Sequence, residues 1–336
     1  MLVRLPIDSP EWAAFVSAHD RALPFHHPAW AATIARTYGF PAFVLARMEE
    51  GGTPRAGMPL MEVRRPFGPR RWVSLPFTDI CPPLVEPGGE AELAQAVEAA
   101  RVEAGIESVE VAGPLAGCPG DGLDRVVHVL ALDPDHDAVE RGFSGAVRRN
   151  IRAAQGHGLS VRIGDDERDL VDAFYRLQVL TRRRLGLPPQ PRRFFVNLWH
   201  DVLAPGLGRV LVVEHRGAPA AAAVFLNWNG TVVYKYGASD PATWQLRPNN
   251  LLFATAIEQA CAAGDRVFHF GRSDRDDTGL RRFKAGWGAV EEPLETAVLG
   301  RRLSHGDPPV VLRAVIRRSP SFVARGIGAA LYRYAA

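Results

Sequence analysis

"TVVYKYGASDPATWQLRPNNLLFATAIEQACAAGDRVFHFG", residues 231–271, contains a strand, a turn, a helix and a second strand in direct succession. Residues 231–238 are rich in β-branched and aromatic side chains, the composition of a strand. "LRPNN" ends that run, and Pro248 stands where a helix over about residues 249–263 begins. "RVFHFG" then supplies a strand. Upstream lie the strand "LSVRI", helices over about 167–185 and 193–203, and the strands "RVLVVEH" and "APAAAAVFLNW". Downstream come a short helix through 280–283 and the strand "LETAVL".

The first half of the chain has the same order. A strand at 2–7 precedes helices at about 9–21 and 28–38. The strands "AFVLARME", "RAGMPLMEVRR" and "RWVSLPF" follow, then a helix at about 90–104 and the strands "SVEVAG" and "VVHVLAL". A linking helix over about 136–155 joins the halves. Each half therefore reads strand, helix, helix, three strands, helix, strand, and the repetition lies in element order rather than in residues. This predicts an α/β (α+β) chain of two domains, 1–150 and 151–304, each a mixed sheet flanked by helices. Single strands and helices do not alternate, so a Rossmann fold is not expected.

The composition agrees with an ordinary globular protein: 336 residues, 47% hydrophobic, 23% charged, net charge +3. That charge is low for a protein that coats DNA. Three cysteines, Cys81, Cys118 and Cys261, give neither a disulfide framework nor zinc spacing. The ten histidines show no metal spacing, so no metal site is expected. The start, "MLVRLPIDSPEW", lacks a signal-peptide core, and no run approaches the ~18 apolar residues of a membrane span. The expected location is the cytoplasm, with the inner face of the membrane as a site of contact. That contact would use the tail at 305–336, an amphipathic, basic stretch broken at Pro320 that suits an anionic surface. Docking on its own domain is the commoner fate of such a tail.

Six stretches occur in order: "FHHPAW", "LPFTDICPPL", "VRRNIRAAQGHGL", "LTRRRLGLPPQPRRFF", "YKYGASDPATWQLRPNNLLFATAIEQA" and "FHFGRSDRDDTGLRRFKAGWGA". Together they cover much of the chain, which in this respect resembles the Fem-like aminoacyltransferase family, with tandem GNAT-like acyltransferase domains. The resemblance implies transfer of an aminoacyl group from aminoacyl-tRNA to an amine. The acceptor would be a peptide, sugar or small molecule, such as a cell-wall (peptidoglycan) or envelope precursor. It also implies that the tail at 305–336 packs back on the first domain and that no cofactor is held. The alternatives are an acyl-CoA-dependent GNAT N-acyltransferase and a non-catalytic scaffold in envelope or polysaccharide assembly. Oligomeric state is not legible.

Aminolysis of an ester needs a neutral amine, positioned reactants and a stabilised oxyanion. Only Lys235 and Lys284 interrupt the use of Arg for basic residues. Lys284 follows Phe283 where, by the resemblance, Fem-like enzymes carry a Phe-Lys pair near the reacting ester. A compact ammonium can follow a developing oxyanion where a planar guanidinium fits poorly. Asp79, between Pro-rich stretches, is the candidate carboxylate for the acceptor amine, with turn capping as its other reading. Strand alternation puts Tyr234 and Tyr236 on one face and Lys235 on the other, the tyrosines lining a channel or simply half-buried in the core. Arg183 and Arg184 suit phosphate or a solvated helix face. Asn249 and Asn250 open a helix whose N-terminus can meet an anion. "RGIGAA" at 325–330 matches the coenzyme A turn on paper but lacks the elements that should follow it, whereas "QLRPNN" stands in the right place and lacks the glycines. His26 and His27 are expected to cap or pack, and Phe194 and Phe195 to be core.

Overall fold

A computed structural model describes residues 1–64, 66, 68–302 and 309–335. It divides into two compact units. The first holds Met1–Arg125 and a return segment that begins at Pro293; the second holds Val126–Glu292 and the C-terminal helices. The division falls at 125/126 rather than at 150.

The first unit contains β1 (Leu2–Pro6), α1 (Pro10–Ala18), α2 (Pro28–Tyr38), β2 (Ala42–Met48), β3 (Pro54–Arg64), β4 (Arg70–Val73), β5 (Leu84–Val85), α3 (Glu90–Glu103) and β6 (Ser108–Val111). The second contains β7 (Arg125–Ala131), α4 (His136–Arg141), α5 (Gly145–Gly156), β8 (Leu159–Ile163), α6 (Tyr175–Leu185), α7 (Arg192–Leu198), β9 (Gly208–His215), β10 (Ala218–Trp228), β11 (Thr231–Ser239), α8 (Pro248–Ala262), β12 (Val267–Asp274), α9 (Thr278–Ala285) and β13 (Val290–Pro293). Last come β14 (Ala297–Gly300), α10 (Val310–Arg318) and α11 (Ser321–Leu331).

Both sheets are mixed, as expected, but two strands change places. The first sheet runs β1-β2-β3-β4-β6-β14, with β5 on β3; the second runs β13-β7-β12-β11-β10-β9-β8. Thus "VVHVLAL" enters the second sheet, and "LETAVL" returns to pair antiparallel with β6 of the first. Edge backbone groups need partners, and chain order does not say which edge a late strand will cover.

Local signals explain most of the helices and their breaks. The expected helix at 136–155 is two, because Ser144 caps α5 by accepting from the Val147 N–H at 3.3 Å. The helices expected at 167–185 and 193–203 each contain a π-helical stretch, Asp169–Phe174 and Trp199–Leu203. Phe194 and Phe195 are fully buried, as expected.

The tail also differs from expectation. Of residues 305–336, positions 305–308 and 336 lie outside the described residues. The rest belongs to the second unit, not the first, with α10 and α11 packed on α6. Ile316 and Ala324 are the buried contacts, and a Cβ added at Gly328 would stand 2.0 Å from the Pro189 carbonyl oxygen. The "RGIGAA" stretch is therefore interior helix, with its amides spent in the helix rather than held in an anion loop.

In the first unit, His27 caps α2, accepting from the Ala29 N–H. His26 is buried, donates from Nε2 to the Pro82 carbonyl at 2.8 Å and accepts at Nδ1 from the Leu23 N–H at 2.9 Å. Only the neutral ring satisfies both bonds, and burial holds its pKa down at about 4. The unfolded ring titrates near ~6.5. The unfolded state therefore takes up a proton first as pH falls. The His26 contribution is intact above about pH 6.5 and shrinks by about 3 kcal/mol on approach to its folded pKa. Urea unfolding at neutral pH and near the folded pKa should show this loss in the wild type and a flatter profile in His26→Gln.

Candidate active site

The central ladder of the second sheet opens part-way along. β11 and β12 run parallel and pair only at Thr231↔Val267, Val232↔Phe268 and Val233↔His269. Each strand leaves its regular path just after that point. On β11, Val224 of β10 faces Tyr236 and Phe225 faces Tyr234, so Lys235 is the extra residue of a β-bulge. On β12, Gly271 adopts φ +70°, a left-handed backbone that suits glycine. Its N–H donates to Nδ1 of His269 at 3.0 Å. Beyond Val233 and His269 the two strands splay.

The bulge corrects the expectation for the tyrosines. Val224 and Phe225 are adjacent on β10 and face opposite ways, so Tyr234 and Tyr236 do too. Tyr234 packs on Phe253 of α8, ring centroids 4.8 Å apart, with its hydroxyl over Gly237, where an added Cβ would come within 1.8 Å. Burial pushes the Tyr234 phenol up to about 12, so its hydroxyl keeps its proton. Tyr236 packs on Phe194 and Phe195. Lys235 is buried with Nζ 5.2 Å from the Tyr236 ring centroid, on the side of Tyr236 rather than opposite it.

Lys284 closes the other side of the splay. Asp277 caps α9, accepting from the Leu280 N–H at 3.0 Å, and the helix brings Lys284 back against β12. The side chain is 2% exposed, and Nζ donates to the carbonyls of Gly271 at 2.8 Å and Arg272 at 2.9 Å. These carbonyls lie where β12 has left β11. Buried carbonyls need donors, and one compact ammonium serves two successive ones where a planar fork would not. Phe283 stays in the adjacent aromatic cluster, 5.5 Å from Phe253 and 6.1 Å from Trp287 between ring centroids.

A titratable group missed in the sequence feels the charge of Lys284. His128 on β7 is fully buried, with Nε2 3.3 Å from Glu291 of β13. Neither ring nitrogen makes a hydrogen bond among the described residues. Arg281 of α9 grips Glu291 with two bonds, at 2.7 and 2.8 Å, and holds its carboxyl below the usual range. Burial first, then the charge of Lys284, lower the His128 pKa against the pull of Glu291. The ring is thus a neutral base near the ammonium. A lone His in "VVHVL" reads as core, so only pairing of β7 between β13 and β12 could reveal it.

The remaining candidates are placed as follows. Asn250 is buried and Asn249 half-buried at the start of α8. Arg247 enters that helix at φ +60°, and the N–H groups of Asn250 and Leu251 both return to its carbonyl. Pro248 has no N–H, so this turn keeps few amides for a pyrophosphate. Arg183 donates to Ser321 Oγ of α11 at 3.1 Å, and Arg184 stacks 4.9 Å over Trp244. Asp79 is half-buried in the first unit, in a turn where Leu75 and Phe77 have φ +57° and +63°. It therefore belongs to a different unit from Lys284. His136, Asp137 and Glu140 bring potential metal-ligand atoms within 4.8 Å of one another, a grouping that sequence spacing had not suggested.

Residues 141–285 match the family model described as acetyltransferase (GNAT) domain. This stretch is a GNAT-type acyltransferase domain. A search of curated proteins returns no match. Similar solved structures include FemX, 15% identical, covering 89% of this chain and 98% of that one with a TM-score of 0.73. A conserved protein of unknown function from Bacteroides thetaiotaomicron is 13% identical over 89% and 99%, with a TM-score of 0.59. The tandem GNAT protein of the clavulanic acid biosynthesis pathway is 15% identical over 89% and 97%, with a TM-score of 0.51. At these identities the likeness establishes the fold: two tandem GNAT-like units. Among the described residues no helix is long and apolar enough to cross a membrane.

Proposed function

We propose that the chain forms an amide between an aminoacyl group, delivered by aminoacyl-tRNA, and an amine on a cell-wall or envelope precursor, at the β11/β12 splay. The observation that carries this reading is the turn before α8. It sits where a coenzyme A pyrophosphate would be cradled, yet it offers Pro248 and amides already folded back on Arg247. A donor without a pyrophosphate fits better. The Fem-like resemblance supports aminoacyl-tRNA as that donor.

In this reading the amine nitrogen attacks the ester carbonyl, the carbon–oxygen bond to the ribose breaks, and the proton lost by the amine ends on the ribose oxygen. Lys284 supplies positive charge at the splay, where the oxyanion develops. Neutral His128, next to that charge, is suited to holding the proton in passage. Lys235, Tyr234, Phe283, Asn249 and Asn250 line or back the site. Asp79 lies in the first unit and has no role in this step.

The second reading is N-acyl transfer from acyl-CoA, favoured by the GNAT match over 141–285. The two separate when radiolabelled aminoacyl-tRNA and radiolabelled acetyl-CoA are offered in parallel with a mixed pool of amine acceptors. Label passing to an amide from the tRNA alone is expected. Transfer from acetyl-CoA alone would replace the leading reading by the second.

A further inference from the structure

The C-terminal helices dock by one face and leave another open. Ile316, Ala324 and Gly328 face α6 and its neighbours. Val310 is 82% exposed, Val311 75%, and Val315 and Phe322 are exposed too. A bend at Ser319–Pro320 makes a concavity of about 620 Å³ whose walls include Val311, Val315 and Arg318. Three valines around one concavity, with Phe322 exposed on the next helix, leave more apolar surface in water than two short helices usually do.

Charge identifies what covers them. Residues 308–336 contain five arginines (Arg313, Arg317, Arg318, Arg325 and Arg333) and no Asp or Glu. The whole chain nets only +3, so the positive charge is concentrated in this tail. Arg317, Arg318, Arg325 and Arg333 are all exposed. A second copy of the chain would bring five positive charges against five. An acidic bilayer would receive the apolar side chains among its acyl groups and the guanidiniums among its phosphates.

We propose that α10 and α11 form a docking face for the surface of an anionic phospholipid bilayer, bound peripherally and without crossing. This holds whichever acyl donor is used, and it would place the second unit beside a membrane-borne acceptor.

The test is flotation of the full chain with two kinds of vesicle: phosphatidylcholine alone, and phosphatidylcholine with about one-third phosphatidylglycerol. The wild type should float with the anionic vesicles, remain in solution with the neutral ones, and be released at about 0.5 M salt, where the Debye length shrinks to a few ångströms. The pairs Val311→Glu with Phe322→Glu, and Arg318→Glu with Arg325→Glu, should each weaken partitioning more than about tenfold. These positions are exposed, so unchanged circular dichroism and melting temperature should accompany the loss. Three results would overturn the proposal: no flotation of a folded wild type, equal flotation on both vesicles, or partitioning untouched by either pair. Self-association that disappears in Val311→Glu with Phe322→Glu, without vesicle binding, would give the face to a second copy instead.

Discussion

Lys284→Met should lower the rate of amide formation by about 100- to 1,000-fold, the usual consequence of losing one partner of a developing oxyanion. It should also cost stability. Nζ is the donor to the buried Gly271 carbonyl and the part-buried Arg272 carbonyl, and a buried group left unmet costs about 1–3 kcal/mol. The two effects separate through Lys284→Arg. That variant retains positive charge and some hydrogen bonding, so it should recover stability, while its planar fork cannot occupy the same point between the carbonyls. Transfer rates and urea unfolding on the same three proteins are the measurement. A Met variant that turns over at the wild-type rate removes Lys284 from the chemistry and leaves it as a strand clamp.

Phe253→Ala should give the second large loss, about 3–5 kcal/mol. Phe253 is the hub of the second unit's core. Its ring contacts Phe225, Tyr234, Phe268, Phe270, Phe283 and Trp287, with centroid separations from 4.8 to 6.3 Å. Tyr234 and Phe283 stand on opposite sides of the splay and share this one partner. Truncation therefore loosens both walls of the site. Guanidinium unfolding should show the midpoint falling, and the transfer rate should fall with it. Phe253→Leu, which keeps more of the volume, should lose less of both. An unchanged midpoint in the alanine variant would show that the aromatic cluster is not what holds the splay.

Much of the fold was legible because it depends on local chemistry. Runs of β-branched residues, the Pro248 helix start and the order of elements within each half follow from residues a few positions apart. The same locality made Phe194, Phe195, His26 and His27 readable as packing and capping groups. Lys284 was singled out by its rarity among arginines and by the Phe-Lys pair. Its two carbonyl partners, thirteen and twelve residues away, were not readable.

What escaped the sequence was decided by pairing across the sheet. Tyr234 and Tyr236 obey alternation until one residue, Lys235, is extruded, and a bulge forms only when a neighbouring strand sets the register. His128 lies in an apolar run until β7 is threaded between β13 and β12, which brings it beside Glu291. The exchange of β7 and β14 between sheets, and the docking of the tail on α6, depend likewise on which open edge or apolar groove is free when the rest has formed. The amino-acid sequence by itself determined the elements, their order and the rarity of Lys284, because propensities, caps and periodicity are short-range. The tertiary structure alone decided which faces the site residues show and which strands share a sheet. Those follow from hydrogen bonds and burial between residues far apart in the chain, where a one-residue shift turns a side chain to the other face.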